Sequence, residues 1–248
     1  MMHKATVPIA TFSAKAFVFV VLFTCFFLTC NTRALMLPSL SLAQVRAAAE
    51  KGDVQAQYNL GEMYQNGEGM ALNDDAQAVF WYRKAAGQGD ATARYYLGMM
   101  YYQGKGVAQD YTQAIFWWRK EAEQGDGAAQ YALGNMYRDG KGVAQDYAQA
   151  VFWYRKAAGQ GEFAEAQNEL GKMYRDGKGV ARSDAQAIYW FQEAAGRWSH
   201  DAQDNLVLMY SQGRIVIDCV QAGSWLREIR IKEETVQRLL ASRGCPVR

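Results

Sequence analysis

Residues Ala93–Lys120 read ARYYLGMMYYQGKGVAQDYTQAIFWWRK, and the fold follows from where this block recurs. Its Leu-Gly pair ends at Gly98; the same pair ends at Gly61, Gly134 and Gly171, at intervals of 37, 36 and 37 residues. A Met-Tyr pair follows each time, at Met63-Tyr64, Met100-Tyr101, Met136-Tyr137 and Met173-Tyr174. A fifth copy keeps Met209-Tyr210 but has Val207 in place of the glycine. Tryptophans recur in step at Trp81, Trp117, Trp153, Trp190 and Trp225. Self-similarity at this period marks stacked repeats, each too small to bury its own apolar face.

Each unit reads as two helices. Asp90 suits an N-cap, and Gly104 a left-handed stop after Gln103. The loop Gly104-Lys105-Gly106-Val107 follows. The second helix opens at Asp110 with Gln113 three residues on, the spacing of a capping box. That spacing returns as Asp146/Gln149, Ser183/Gln186 and Asp218/Gln221, and Gly125 closes the helix. Loops this short force antiparallel neighbours. Interior glycine costs a helix about 1 kcal/mol against alanine. The glycines in register at Gly61, Gly98, Gly134 and Gly171 therefore predict close approach of the two helix backbones. Ala114, Trp117, Trp118 and Ala122 form a broad apolar stripe that must face a neighbouring unit.

The expected fold is all-α, a right-handed α/α superhelix of about five helix pairs over residues 44–230, the units starting near 53, 90, 126, 162 and 199. Residues 42–51 fit the second helix of a truncated leading unit. The fifth unit lacks the second loop glycine, at Gly213-Arg214-Ile215, and reads as terminal. Residues 231–248 are expected to hold a capping helix near 233–243. Pro8, Pro38 and Pro246 are the only prolines, so none interrupts this span.

The block Ala93-x-x-x-Leu97-Gly98-x-x-Tyr101-x-x-Gly104-x-Gly106-Val107-x-x-Asp110, then Ala114-x-x-Trp117-x-x-Lys120, resembles the Sel-1-like repeat family, relatives of the tetratricopeptide solenoids. The resemblance implies protein–protein binding and scaffolding rather than catalysis, often in exported bacterial proteins. A cysteine-rich subgroup described as penicillin-binding or β-lactamase-like supplies a hydrolase alternative. Its disulfide-per-repeat pattern and the Ser-x-x-Lys motif are missing here.

Half of the 248 residues are apolar and 21% are charged, which excludes a disordered chain. Lys4 and Lys15 precede the uncharged run Ala16–Cys30, too short to span a membrane as a helix and suited to a signal peptide. Residues 1–34 are read as that signal and 35–43 as a linker. Cleavage fits after Ala34 or Ala43, an uncleaved segment would anchor the chain, and Phe27-Leu28-Thr29 is a poor lipobox before Cys30. The expected location is the periplasm or outside the cell. Without the signal, 24 bases face 25 acids, which argues against nucleic acid as partner. Cys25 and Cys30 leave with the signal; Cys219 and Cys245 remain as a disulfide pair in an oxidising compartment, or as two free thiols.

Chemistry is scarce. His200 is the one histidine after His3, so a Ser-His-Asp site has no spare partner and is not expected. No CxxC or HExxH occurs, so neither metal nor cofactor is expected. Gly-Lys-Gly at 104–106, 140–142 and 177–179 follows a helix and lacks the Ser or Thr of a phosphate loop. Arg83-Lys84, Arg119-Lys120 and Arg155-Lys156 would stack as a basic ridge for an anionic surface, or merely suit helix C-termini. The tryptophans could line a sugar groove, but their register makes them core.

Recurrence separates scaffold from readout. In the first helices the changing positions lie at i, i+4 and i+7, on one face. They read Gln55, Asn59, Glu62; Thr92, Tyr96, Met99; Ala128, Ala132, Asn135; Glu165, Glu169, Lys172; Asp201, Asn205, Leu208. In helix-pair solenoids first helices line the concave surface. Asn59, Glu62, Tyr96, Met99, Tyr102, Asn135 and Lys172 are therefore the expected contacts for a protein or peptide, with Tyr96 as an exposed aromatic anchor. An exported adaptor, or a secreted or surface factor binding a host protein, would use the same face.

Overall fold

The computed structural model describes residues 41–68, 73–161, 163–215, 218–228 and 231–245. The expected signal over 1–34, its cleavage points, Cys25, Cys30 and the linker to residue 40 lie outside them. Among the described residues twelve helices run in order: α1 Leu42–Glu50, α2 Val54–Asn66, α3 Asp75–Gly87, α4 Ala91–Gln103, α5 Tyr111–Gln124, α6 Gly127–Asp139, α7 Tyr147–Ala158, α8 Ala164–Asp176, α9 Asp184–Gly196, α10 His200–Ser211, α11 Cys219–Glu228 and α12 Glu233–Ser242. No strand occurs among the described residues. None of the described helices is long and apolar enough to cross a membrane. Each helix packs chiefly on its neighbours in sequence, which is the layout of an all-α solenoid.

Aspartates start the helices and glycines stop them. Asp53, Asp90 and Asp126 accept from the backbone N–H three residues on, opening α2, α4 and α6. Gly67, Gly104, Gly140 and Gly177 close α2, α4, α6 and α8 in the left-handed region, each donating its N–H to the carbonyl of the repeat methionine. The second helices differ from expectation. Asp110 and Asp146 cap α5 and α7, but the reciprocal glutamine bond forms among the described residues only at Ser41/Gln44. The reason is competition: the N–H groups of Asp110, Asp146 and Ser183 already donate to the carbonyls of Tyr101, Tyr137 and Tyr174.

The in-register glycines also do a different job from the one expected. A Cβ on Gly61, Gly98, Gly134 or Gly171 would meet an aromatic ring rather than backbone: Tyr82, Trp118, Tyr154 and Phe191, all within 2.7 Å. The glycine makes room for a ring from its own second helix. Where Val207 replaces glycine in the last unit, Leu226 stands at the ring position and both pack in one core. The tryptophans one residue earlier serve the stacking. Trp117 packs on the core of α1–α4, Trp153 joins that of α5–α6, and Trp190 packs on that of α7–α8. Trp81 and Trp153 are buried, and the Nε1 atoms of Trp81, Trp117, Trp153 and Trp190 are buried without an acceptor.

Two polar ties fix the repeat spacing. Arg83, Arg119 and Arg155 each donate to the hydroxyl of the next unit's repeat tyrosine, Tyr101, Tyr137 and Tyr174, at 2.8 Å. Arg46 of α1 does the same to Tyr64, as a second helix of a truncated leading unit should. The second tie is the loop. Gly106 and Gly179 lie so close to the starts of α3 and α7 that a Cβ would fall 2.2 Å from the Asp75 and Tyr147 carbonyls. Lys141 and Lys178 reach the rings of Tyr111 and Tyr147 there. In the fifth unit Arg214 stands in the lysine's place and pairs with Asp184 at the start of α9. At the C-terminus Cys219 and Cys245 are bonded, with Cα atoms 5.4 Å apart, tying α12 to α11.

Candidate functional site

Three lateral sets of contacts join the first helices α2, α4, α6, α8 and α10. At the N-terminal end they are aromatic. Tyr96 stacks on Tyr82 with centroids 5.6 Å apart and planes at 15°, and lies 6.1 Å from Tyr58 and 5.8 Å from Tyr95. Tyr96 is therefore half-buried in a four-tyrosine cluster, not the exposed anchor the sequence suggested. Burial, and then the neighbouring Glu62 carboxylate, pushes the Tyr58 hydroxyl up to about 12. Burial likewise raises Tyr82 and Tyr95, so these phenols stay neutral and able to donate. Asn59, half-buried, accepts from Gln55 at 2.9 Å, and Glu62 is half-buried nearby.

In the middle, Met99 sits half-buried at the margin of the α5–α6 core with Tyr95 and Tyr102. Tyr102 turns away from this face: its ring packs on Trp118 and Tyr111, and its hydroxyl accepts from Lys141 Nζ at 2.9 Å. Asn135 accepts from the Tyr154 hydroxyl at 2.7 Å. Both residues are thus engaged within the chain.

The C-terminal end is ionic. Arg138 of α6 donates to Glu169 of α8 at 2.8 Å, and Lys172 pairs with the same buried carboxylate. Arg175 then reaches Asn205 of α10 at 2.5 Å, and Asn205 donates to Asn168 at 3.1 Å. Lys172, expected as a partner contact, is half-buried and ion-paired. The structure brings Asn59, Glu62, Tyr96 and Met99 to adjoining places on α2 and α4. Tyr102 and Asn135 go to ties between elements, and Lys172 pairs with Glu169 one turn back on α8 itself. His200 is exposed in the first turn of α10. Among the described residues no group of His, Cys, Asp or Glu could hold a metal.

Sequence reasoning overlooked a ladder on the other side. Phe80, Phe116, Phe152 and Tyr189 are exposed at 45%, 60%, 45% and 49%. Each precedes a repeat tryptophan and packs edge-on against it, at 4.9–5.1 Å. The signal was present, since the aromatic pair recurs with the repeat period, but attention to the tryptophan hid its neighbour. Trp198 was also overlooked. It is 65% exposed with φ +65°, at a junction where Gly52, Gly89, Gly125 and Gly161 supply the positive φ in the other units.

The family model described as Sel1 repeat matches residues 54–90, 91–126, 127–162 and 164–196. Among solved structures, c5321, a protective antigen present in uropathogenic Escherichia coli strains displaying an SLR fold, is 39% identical with a TM-score of 0.71. The match covers 82% of this chain and 44% of that one, so the chain spans less than half of c5321. A Sel1 repeat protein from Oxalobacter formigenes is 34% identical with a TM-score of 0.65, over 77% of this chain and 76% of that one. No curated protein matches the chain.

Proposed function

The chain belongs to the Sel1 repeat family, whose members are generally protein-interaction scaffolds, and from that premise we propose an exported, non-catalytic adaptor that holds a protein or peptide against its first-helix face. The observation that carries the choice of face is the cluster Tyr58–Tyr82–Tyr96–Tyr95, with Glu62 and Met99 at its edge. Tyr82 is fully buried and backs Tyr58, Tyr95 and Tyr96, and these rigid, half-buried tyrosines offer large contact area with little rotamer entropy to lose. Asn59, Glu62 and Met99 would read the partner; Tyr102 and Asn135 would hold the helices that present them, and Lys172 would neutralise Glu169 on its own helix.

Export rests on the basic and apolar pattern of residues 4–30 and on a cysteine pair that suits an oxidising compartment. A periplasmic or secreted location follows, or a membrane-anchored one if the segment is kept. The description of c5321 as a protective antigen favours, as a second reading, a surface or secreted factor that meets a host protein. Nothing in the fold or the matches points to a hydrolase.

The test is cross-linking of the exported protein in cells, compared with a Glu62→Lys, Met99→Ala variant of unchanged helicity. The expected result is one partner captured by the parent and lost from the variant. Equal capture would sink the first-helix assignment. Fractionation then decides between envelope and secreted protein, and retention in the cytoplasm would end the export reading.

A further inference from the structure

The opposite face carries a repeated socket. Between α5 and the loop that joins α6 to α7 lies a groove of about 420 Å³, floored by Ile115 and Val143 and walled by the exposed Phe116. Arg119 and Lys120 stand at its rim with Glu123. One unit on, a groove of about 380 Å³ repeats the design: Val151 and Val180 form the floor, Phe152 the wall, Arg155 and Lys156 the rim. The loop glycines make both grooves, since Gly142 and Gly179 let the loop lie directly on the start of the helix. Among the described residues, none of these four cations is ion-paired to a carboxylate. Arg119 and Arg155 each spend one N–H on a tyrosine hydroxyl and retain others, and Lys156 lies 4.8 Å above the Phe152 ring. The fourth unit shows where the design stops. Its groove, about 490 Å³, has Gln192 at the arginine position and Glu228 at the edge.

We propose that the paired sockets on α5 and α7 bind an extended acidic segment of a partner protein, each taking one apolar side chain with a carboxylate beside it. The apolar floor asks for an aliphatic or aromatic anchor, and the unpaired cations ask for an adjacent negative charge. Neighbouring helix layers lie about 10 Å apart, which an extended chain covers in about three residues. Recessed floors fit side chains projecting from a peptide better than a flat anionic bilayer. Gln192 and Glu228 end the series of sockets after α7.

The probe is a fluorescein-labelled synthetic peptide with two Leu-Glu dyads, the leucines three residues apart, read by fluorescence anisotropy. Controls are the same peptide with lysine for glutamate, and vesicles of phosphatidylglycerol with phosphatidylcholine. The acidic peptide should bind, and Phe116→Ala, Lys120→Glu, Phe152→Ala and Lys156→Glu should each weaken it about tenfold. Gln192→Ala should leave affinity unchanged, and so should the first-helix variant Glu62→Lys, Met99→Ala, which separates this surface from the first-helix reading. All four socket side chains are exposed, so circular dichroism should confirm an intact fold. Equal binding of the lysine peptide, insensitivity to the four substitutions, no peptide binding, or retention on vesicles alone would each overturn the proposal.

Discussion

Substituting the second unit's buried ion pair with the residues its neighbours use at the same places should leave the protein close to the parent's stability, while either single substitution should destabilise it markedly. Arg94 Nη1 lies 2.6 Å from Glu121 Oε1, with side chains 8% and 3% exposed, and Arg94 Nε donates to the Ala86 carbonyl at 3.1 Å. The other units place Gln57, Gln130 and Gln167 at the arginine position, and Ala85, Ala157 and Ala194 at the glutamate position. Gln57 and Gln130 donate to the Ala49 and Ala122 carbonyls at 3.1 and 3.0 Å, as the arginine does. Glu121→Ala therefore strands a desolvated guanidinium, and Arg94→Gln strands a carboxylate; each should cost about 3–5 kcal/mol. The double variant keeps the carbonyl bond and buries no charge, so it should lie within about 1 kcal/mol of the parent. Urea unfolding followed by circular dichroism measures the cycle. Units in a solenoid unfold with their neighbours, so amide exchange in α4–α6 should rank the variants in the same order. Singles that simply add up in the double would refute the reasoning.

Four further outcomes follow from the same contacts. Gly134→Val would put its Cβ 2.5 Å from the Tyr154 ring and should destabilise by about 1–3 kcal/mol; adding Tyr154→Leu, in imitation of Val207 and Leu226, should recover part of that loss in thermal melts. Trp198→Gly should be about 1 kcal/mol more stable than Trp198→Ala, because both lose the side chain and only glycine takes positive φ without cost, and equal midpoints in urea would contradict this. Reducing Cys219–Cys245, 26 residues apart, should remove about 3–4 kcal/mol from the C-terminal unit, seen as lost exchange protection confined to α10–α12. Tyr58 has a folded pKa of about 12 against an ordinary 10.0, so its neutral form is favoured by folding. That stability is complete below pH 10 and is lost as pH rises toward 12; tyrosinate absorbance rising together with loss of helicity is expected, and independent early titration of all tyrosines would contradict it.

The helices, their order and their caps were legible because those signals are local. Asp before a helix, Gly after it and a 36–37-residue period need no knowledge of neighbours in space. The role of the Leu-Gly glycine was not legible. Gly134 meets Tyr154, twenty residues away, and the period alone does not distinguish a ring from a backbone as the atom that needs the room. The face was legible as a face but not in its occupancy. The spacing of Tyr96, Asn135 and Lys172 put them on one side of the first helices, yet Tyr96 and Asn135 contact Tyr82 and Tyr154 of adjoining helices, while Lys172 pairs with Glu169 one turn back on its own helix. The occupancy of Tyr96 and Asn135 depends on which residue the adjoining helix sets opposite, and the hydrophobic pattern of one helix holds no such information.

Within one repeat array, departures from the shared pattern sort by whether they come in touching pairs. Arg94 arrives with Glu121, Arg214 with Asp184, Val207 with Leu226, and Arg138 with Glu169. Each pair keeps a junction filled by different chemistry, so neither member calls for a ligand. The departures outside such pairs are the informative ones. Met99 and Glu62 stand at the edge of the tyrosine cluster. A half-buried thioether at that margin gains the fold little that alanine would not supply, and binding is the use that Sel1 repeats generally make of their surface. The Phe116 and Phe152 sockets are a different case, because they recur instead of departing. A scaffold that must present the same grip twice has no other way to encode it than to repeat an exposed residue in register.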